Sequence, residues 1–276
     1  MTGAGEAGWS RAAAAYDAIA ARYDLIPIEN RINRYMRNRS LERLRSTFRA
    51  GHRVLEIGCG TGTEALDLAR RGVEVVALDP SGEMIRLARS SAESQDLARR
   101  ATFVQGAARD ISTMLGPAQE SFDGGYASFS LAYEPDLAPV ARGLRGVLKP
   151  GAPFLASLPS RVCLVELLLA FASGRPSLAG RRLRPYHNHK VGSHLVPIRT
   201  YTPRSFAEAI APHLVLARVE ALPAIVPPPH HNRWYTRLND VADAIEQLDK
   251  WLRTRFPFRF LGDHFLAELH RVSSPP

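Results

Sequence analysis

Apolar residues recur along this chain in two alternating patterns. Seven short stretches, at 54–57, 73–78, 102–105, 122–130, 154–158, 214–219 and 264–272, are rich in apolar residues and bounded by glycine, proline or polar residues, so each reads as a strand. Between several of them the apolar residues return every three or four positions. Ala65, Leu68 and Ala69 form one such stripe, Met84, Leu87 and Ala88 another, and Leu137, Val140, Ala141, Leu144 and Leu148 a third. That period predicts helices with one buried face. Strands alternating with helices predict an α/β fold, a doubly wound and mostly parallel seven-stranded sheet.

Three regions stand outside the alternation. Ahead of the first strand, the alanine-rich stretch 11–23 and the stretch 28–48 predict an N-terminal helical cap over 1–48, followed by a core over 49–160. The helix carrying Leu144 stops at Lys149-Pro150-Gly151, where proline and glycine end it. From 161 to 200 the pattern lapses. Residues 161–172 are apolar nearly all round apart from Glu166, which predicts a buried helix or a lid, and the following stretch to 203 reads as loop. The remainder, 201–276, returns to the core pattern with the last two strands. It includes a helix after Pro227-Pro228-Pro229 whose apolar stripe is Leu238, Val241, Ala242, Ile245, Leu248 and Trp251.

The chain has 276 residues, 45% hydrophobic and 23% charged, which is ordinary for a globular domain with an insertion. No run reaches the roughly twenty apolar residues a membrane span needs, and the start MTGAGEAG lacks the features of a signal peptide. A cytoplasmic location is the expectation. The net charge of +9 raises a nucleic-acid reading, but all but three of the 36 basic residues are arginines scattered along the chain. Such a bias reflects composition as readily as function. Cys59 and Cys163 have neither metal-ligand spacing nor a disulfide framework.

The candidate chemistry lies at 53–80. The first strand ends in Glu56 and enters Gly58-Cys59-Gly60-Thr61-Gly62, a loop whose glycines can take positive φ and let backbone approach a ligand. A helix follows, then a second strand that stops at Asp79, where an acid can accept from ribose hydroxyls. The spacing is G-x-G-x-G rather than the dinucleotide G-x-G-x-x-G, and Glu56 beside the loop would repel a pyrophosphate while suiting an ammonium. S-adenosylmethionine (SAM) carries an ammonium, a ribose and an adenine, and no phosphate. E-x-G-C-G-T-G followed by A-L-D-P resembles motifs I and II of the class I SAM-dependent methyltransferases, which have a Rossmann-like core.

That resemblance carries expectations onto this chain. Glu56, Gly58, Cys59, Gly60, Gly62 and Asp79 belong to the cofactor loop and ribose site, with Cys59 read as packing. Pro80, Ser81 and Met84 would line the adenine. The loop at Ala107, Ala108 and Asp110 would read its edge, although Ala107 stands where many relatives have aspartate. Tyr16-Asp17…Tyr23-Asp24 resembles the opening helix of small-molecule methyltransferases, which would put Tyr23 near the methionine end or leave it packing the helix on the sheet. The last strand would run antiparallel, inserted beside the sixth. Ser128-Phe129-Ser130 occupies the position where amino-methylating DNA enzymes carry D/N-P-P-Y/F, and no magnesium-binding acidic set of the catechol type is present, so no metal is expected.

The implied reaction is methyl transfer from SAM, which becomes S-adenosylhomocysteine (SAH), to a small organic acceptor. O-methylation is the preferred form, by in-line displacement with a histidine as possible general base. His187, His189 and His231, in the stretches least like the family, are the candidates, while a zinc reading of the histidines has no cysteine support. Methylation of RNA or protein, and a SAM-fold scaffold without catalysis, stay open as alternatives.

Overall fold

The structure, a computed structural model, describes residues 3–116, 120–174, 182 and 184–273. Three helices come first: α1 (Gly3–Ile19), α2 (Leu25–Glu29) and α3 (Arg31–Thr47). Asn30 separates the last two in extended backbone, its side chain accepting from the amide of Asn33 at 3.0 Å. The helix expected from 28 onward therefore starts three residues later, because an asparagine N-cap is a better start than the proline turn before it.

The alternating core follows: β1 (Arg53–Ile57), α4 (Thr63–Arg70), β2 (Glu74–Asp79), α5 (Gly82–Ser94), β3 (Ala101–Gln105), α6 (Ile111–Met114), β4 (Gly124–Ser128), α7 (Ala138–Val147) and β5 (Pro153–Pro159). These five strands are parallel, and the four inner ones are mostly buried, as their apolar runs require, while the edge strand β3 exposes Thr102 and Gln105. After the insertion come α9 (Pro203–Ile210), β8 (Leu214–Leu222), the short α10 (Asn232–Tyr235), α11 (Asp240–Leu252) and β9 (His264–Arg271). The sheet order is β3-β2-β1-β4-β5-β9-β8, with β9 antiparallel to both neighbours. The fold is thus the α/β doubly wound arrangement predicted, including the antiparallel last strand beside the sixth, and the structure sets that strand between the fifth and the sixth. One core lies between the sheet and α3, α4 and α5, around Leu44, Leu68, Ala88 and Phe103. The other lies under α6, α7 and α9, around Ile111, Leu144, Phe154 and Phe206.

The insertion contains α8 (Leu164–Ala172) and a hairpin, β6 (Tyr186–Val191) with β7 (His194–Arg199), turned at Gly192 with φ +57°. The stretch read as loop is therefore partly strand. H-N-H-K gives no apolar alternation, and the hairpin is stabilised from outside, Val191 and Val196 packing on Ala12 and Ala15 of α1. Helix α8 is more open than its composition suggests, with Leu168 and Phe171 exposed. The stripe assigned to α11 is also rotated. Ala242, Asp249 and Leu252 are buried, whereas Val241, Leu248 and Trp251 face outward. Asp249 accounts for the rotation: it accepts from the amides of Ala224 and Ile225 at 2.8 and 2.7 Å and from the Tyr35 hydroxyl at 2.9 Å, and so turns its own face inward.

Candidate functional site

A cavity of about 720 Å³, counting its open mouth, lies at the carboxyl ends of β1, β2 and β4, where a sheet of this order switches direction. Gly58 and Gly60 form its floor at positive φ, +74° and +52°. A Cβ on Gly58 would stand 2.2 Å from Cβ of Ser130, so only glycine lets the loop pass the end of β4. The Ser130 hydroxyl donates to the Ile57 carbonyl at 2.6 Å and fastens the two strand ends together. Gly62, at φ +83°, is the N-cap of α4, and its Cα lies against the Phe103 ring.

Asp79 ends β2 at the cavity wall. One carboxylate oxygen accepts from the Gly60 amide at 2.8 Å and the other from the Ser81 amide at 2.9 Å. Burial pushes its pKa up to about 6, against the two amides, which lower it. Each oxygen retains a lone pair for a ribose hydroxyl. Glu56 lies behind the loop, almost fully buried, with Oε2 lacking a hydrogen-bond partner. Burial and then the nearby Glu64 raise its pKa well above the usual range. Glu64 is itself held by Arg37 at 3.3 Å.

The sequence-predicted residues divide into two sets. Tyr23, Gly58, Gly60, Asp79, Pro80, Met84, Ala108 and Ser128 line the cavity. Glu56, Cys59, Gly62, Ser81, Ala107 and Asp110 do not; they lie behind or beside it. Cys59 is buried, its thiol pointing at the Gly60 carbonyl and its pKa raised by burial, as a packing role requires. Ser81 caps α5 by accepting from Met84 at 3.1 Å. Ala107 is buried, and Asp110 is exposed without a cap bond to α6. His187 and His189 lie on β6, and His231 lies in a turn after β8, where its Nδ1 accepts from Trp234 Nε1 at 3.1 Å. None of the three lines the cavity.

The roof was only partly foreseen. Ala12, Ala13 and Tyr16 of α1 close the cavity together with Phe129, Tyr133 and Glu134 after β4. The Tyr16 and Tyr133 hydroxyls lie 2.6 Å apart, and Tyr16 meets both Tyr23 and Tyr133 edge to face. Asp17 accepts from the Ser81 hydroxyl at 2.5 Å and the Glu83 amide at 3.0 Å, and Asp24 accepts from Thr61 at 2.6 Å. Both tyrosine–aspartate pairs of the opening helices therefore span the cofactor loop and the start of α5. Phe129, Ser130 and Tyr133 carried no signal in the sequence beyond their place after the fourth strand.

The lining fits SAM rather than a dinucleotide. Among the described residues it contains two carboxylates, Asp79 and Glu134, the latter paired with Arg109 at 3.0 Å, and no lysine or arginine lines it to meet a pyrophosphate. Glu56, with its orphaned oxygen, adds a further acid behind the loop that faces the ligand.

Residues 54–151 match a family described as "Methyltransferase domain". An O-methyltransferase of Aspergillus nomiae, rstn1, is 33% identical over 141 residues, covering 51% of this chain and 56% of that protein. A SAM-dependent Diels-Alderase of Talaromyces variabilis, iccD, is 32% identical over 105 residues, 38% of this chain and 35% of that one. The chain spans from about a quarter to just over half the length of the curated relatives it matches. A SAM-dependent methyltransferase structure from Methanosarcina mazei superposes with a TM-score of 0.57 at 18% identity, covering 84% of this chain and 97% of that one, and so shares the fold.

Proposed function

Since the chain belongs, through residues 54–151, to the class I SAM-dependent methyltransferases, we propose that it transfers the methyl group of SAM to a small organic acceptor, at oxygen. The observation that carries this reading is the enclosed, cation-free cavity bounded by Asp79 and the glycine loop, with Ser128-Phe129-Ser130 on the far side. In that arrangement Asp79 accepts from the ribose, Met84 and Pro80 cover the adenine, and Tyr16, Tyr23 and Tyr133 surround the methionine end. Methyl transfer from a sulfonium has a good leaving group. The protein's part is therefore to align the acceptor in line with the methyl and to exclude water.

Several arginines are committed to ion pairs within the molecule, among them Arg31, Arg37, Arg43, Arg45 and Arg182. That commitment speaks for a small acceptor over RNA. The curated relatives named as O-methyltransferases support oxygen as the acceptor atom. His187, His189 and His231 are proposed to stand toward the acceptor rather than the cofactor, the cavity lining being free of all three.

Parallel calorimetric titrations with SAM, SAH and NAD test the cofactor; binding of the first two and not the third is the expected result. Methyl-labelled SAM offered with a panel of phenols, hydroxyquinones and aliphatic alcohols tests the acceptor. A second reading, ring closure without methyl loss, is favoured by the similarity to the Diels-Alderase. Conversion of a ligand with no SAH formed would select it.

A further inference from the structure

The cavity accounts for the cofactor and leaves the acceptor's proton without a partner. β9 runs antiparallel to the core strands, so its first residue lies at their carboxyl ends, beside the mouth of the site. That residue is His264, paired with Pro159 on β5 and Leu222 on β8. Its Nδ1 is 2.7 Å from Oδ2 of Asp263, whose side chain is 1% exposed. Asp263 is fixed from several sides. Its other oxygen pairs with Arg182, which also pairs with Glu166, and its carbonyl accepts from Arg182 at 2.9 Å and from the Ser160 amide at 3.0 Å. Cys163, Glu166 and Asp263 are close enough together to suggest a cation site, and the guanidinium of Arg182 already neutralises both acids.

The ring of His264 stands edge-on to Phe129, with centroids 5.4 Å apart. Phe129 lies in the cavity wall between Ser128 and Ser130, held at φ +59°. His264 is therefore one ring away from the cofactor cavity, on the side away from the glycine loop, with 21% of its side chain reaching solvent. The arrangement has the parts of a base and its orienter: a buried carboxylate on one nitrogen, leaving the other nitrogen free to accept.

We infer that His264 is the general base of the proposed O-methylation, and that Asp263, pinned by Arg182, is its positioning residue. The inference rests on the methyl-transfer reading above. In the step, the acceptor oxygen attacks the methyl carbon as the bond from carbon to sulfur breaks, its electron pair staying on sulfur to give SAH. The hydroxyl proton passes to Nε2 of His264, and the imidazolium is stabilised by Asp263 until the proton leaves to solvent. Burial opposes the charge on Asp263, but Arg182 and then His264 hold its carboxyl well below the usual range, so it is an anion throughout the working pH. The other ionisable groups around the dyad are Glu166, Cys163, His189 and His231.

The test compares wild type with His264→Asn and Asp263→Asn, using any phenol the labelled-methyl panel identifies. H264N is expected to lower kcat about 100-fold and to leave SAM affinity by calorimetry unchanged. D263N should lower kcat while leaving SAM affinity unchanged, and Asp263→Glu should restore part of the rate; a merely structural role would not give that split. Unaltered kcat in H264N would overturn the inference. A wild type that neither binds SAM nor turns over would instead sink the methyl-transfer reading.

A second measurement needs no known acceptor. With SAH bound, 4-nitrophenol should show its phenolate absorbance in the wild type at a pH where the free phenol is mostly protonated, and should lose it in H264N. No phenolate band in the wild type, or an equal band in the variant, overturns the assignment.

Discussion

On the proposed reading Asp79 is the side chain on which the cofactor's affinity turns, and its environment predicts a pH dependence for that affinity. The carboxylate is the form that accepts from ribose hydroxyls, and burial has pushed its pKa up to about 6. The ionised form, and with it SAM affinity, is present above that pH and lost as pH falls through it. Calorimetry from pH 8 to pH 5 should show this loss in the wild type and a flat profile in Asp79→Asn. At pH 8 that substitution should weaken binding by about 2–3 kcal/mol, the loss of hydrogen bonds to a charged group. At Gly58 the constraint is steric. Gly58→Ala must hold an L-residue at φ +74°, which costs about 1–2 kcal/mol, and bring its Cβ onto Ser130. Thermal unfolding should fall by several degrees, and SAM binding with it; an unchanged midpoint would mean that the loop yields easily.

Elements were legible in the sequence to the extent that their causes are local. The run that gives β1, the glycines after it and the acid at the end of β2 lie within thirty residues, and each was readable from spacing alone. The capped start of α5 at Ser81 was equally local. The β6–β7 hairpin was not, since its stability comes from α1, more than 170 residues away in the chain. The rotated face of α11 was also hidden, because an aspartate is the residue it buries and its partners are the backbone after β8 and Tyr35 of α3. Asp249→Ala should therefore cost more than a surface acid would. Two buried amides and one hydroxyl would lose their acceptor, on the order of 3 kcal/mol in all, measurable as a lower urea midpoint. A midpoint within experimental error of wild type would mean that water replaces the carboxylate. In the candidate site the same division holds: the cofactor half was readable, whereas Phe129, Tyr133 and the Asp263–His264 pair depend on distant contacts.

At the scale of the whole molecule, the two halves of the site come from different parts of the chain. The cavity floor is built from residues 57–84, and its far wall from the loop after β4; the proposed acceptor side adds the start of β9. Among the described residues no helix is long and apolar enough to cross a membrane. The roof joins the halves, since α1 rests on α5 through Asp17 and on Tyr133 through Tyr16, while Asp24, just before α2, holds the cofactor loop. At about 1 kcal/mol for each such bond, lifting the roof costs far less than unfolding the core, and on the proposed reading these bonds hold the bound nucleoside in. Asp17→Ala should accordingly shorten the residence time of SAH in a stopped-flow displacement experiment, while an unchanged off-rate would show that the nucleoside escapes by another route. On the proposed reading, a helix latched over the nucleoside implies an order of events: the methylated compound should depart before SAH, and SAH should then inhibit in competition with SAM, which product-inhibition kinetics would read directly.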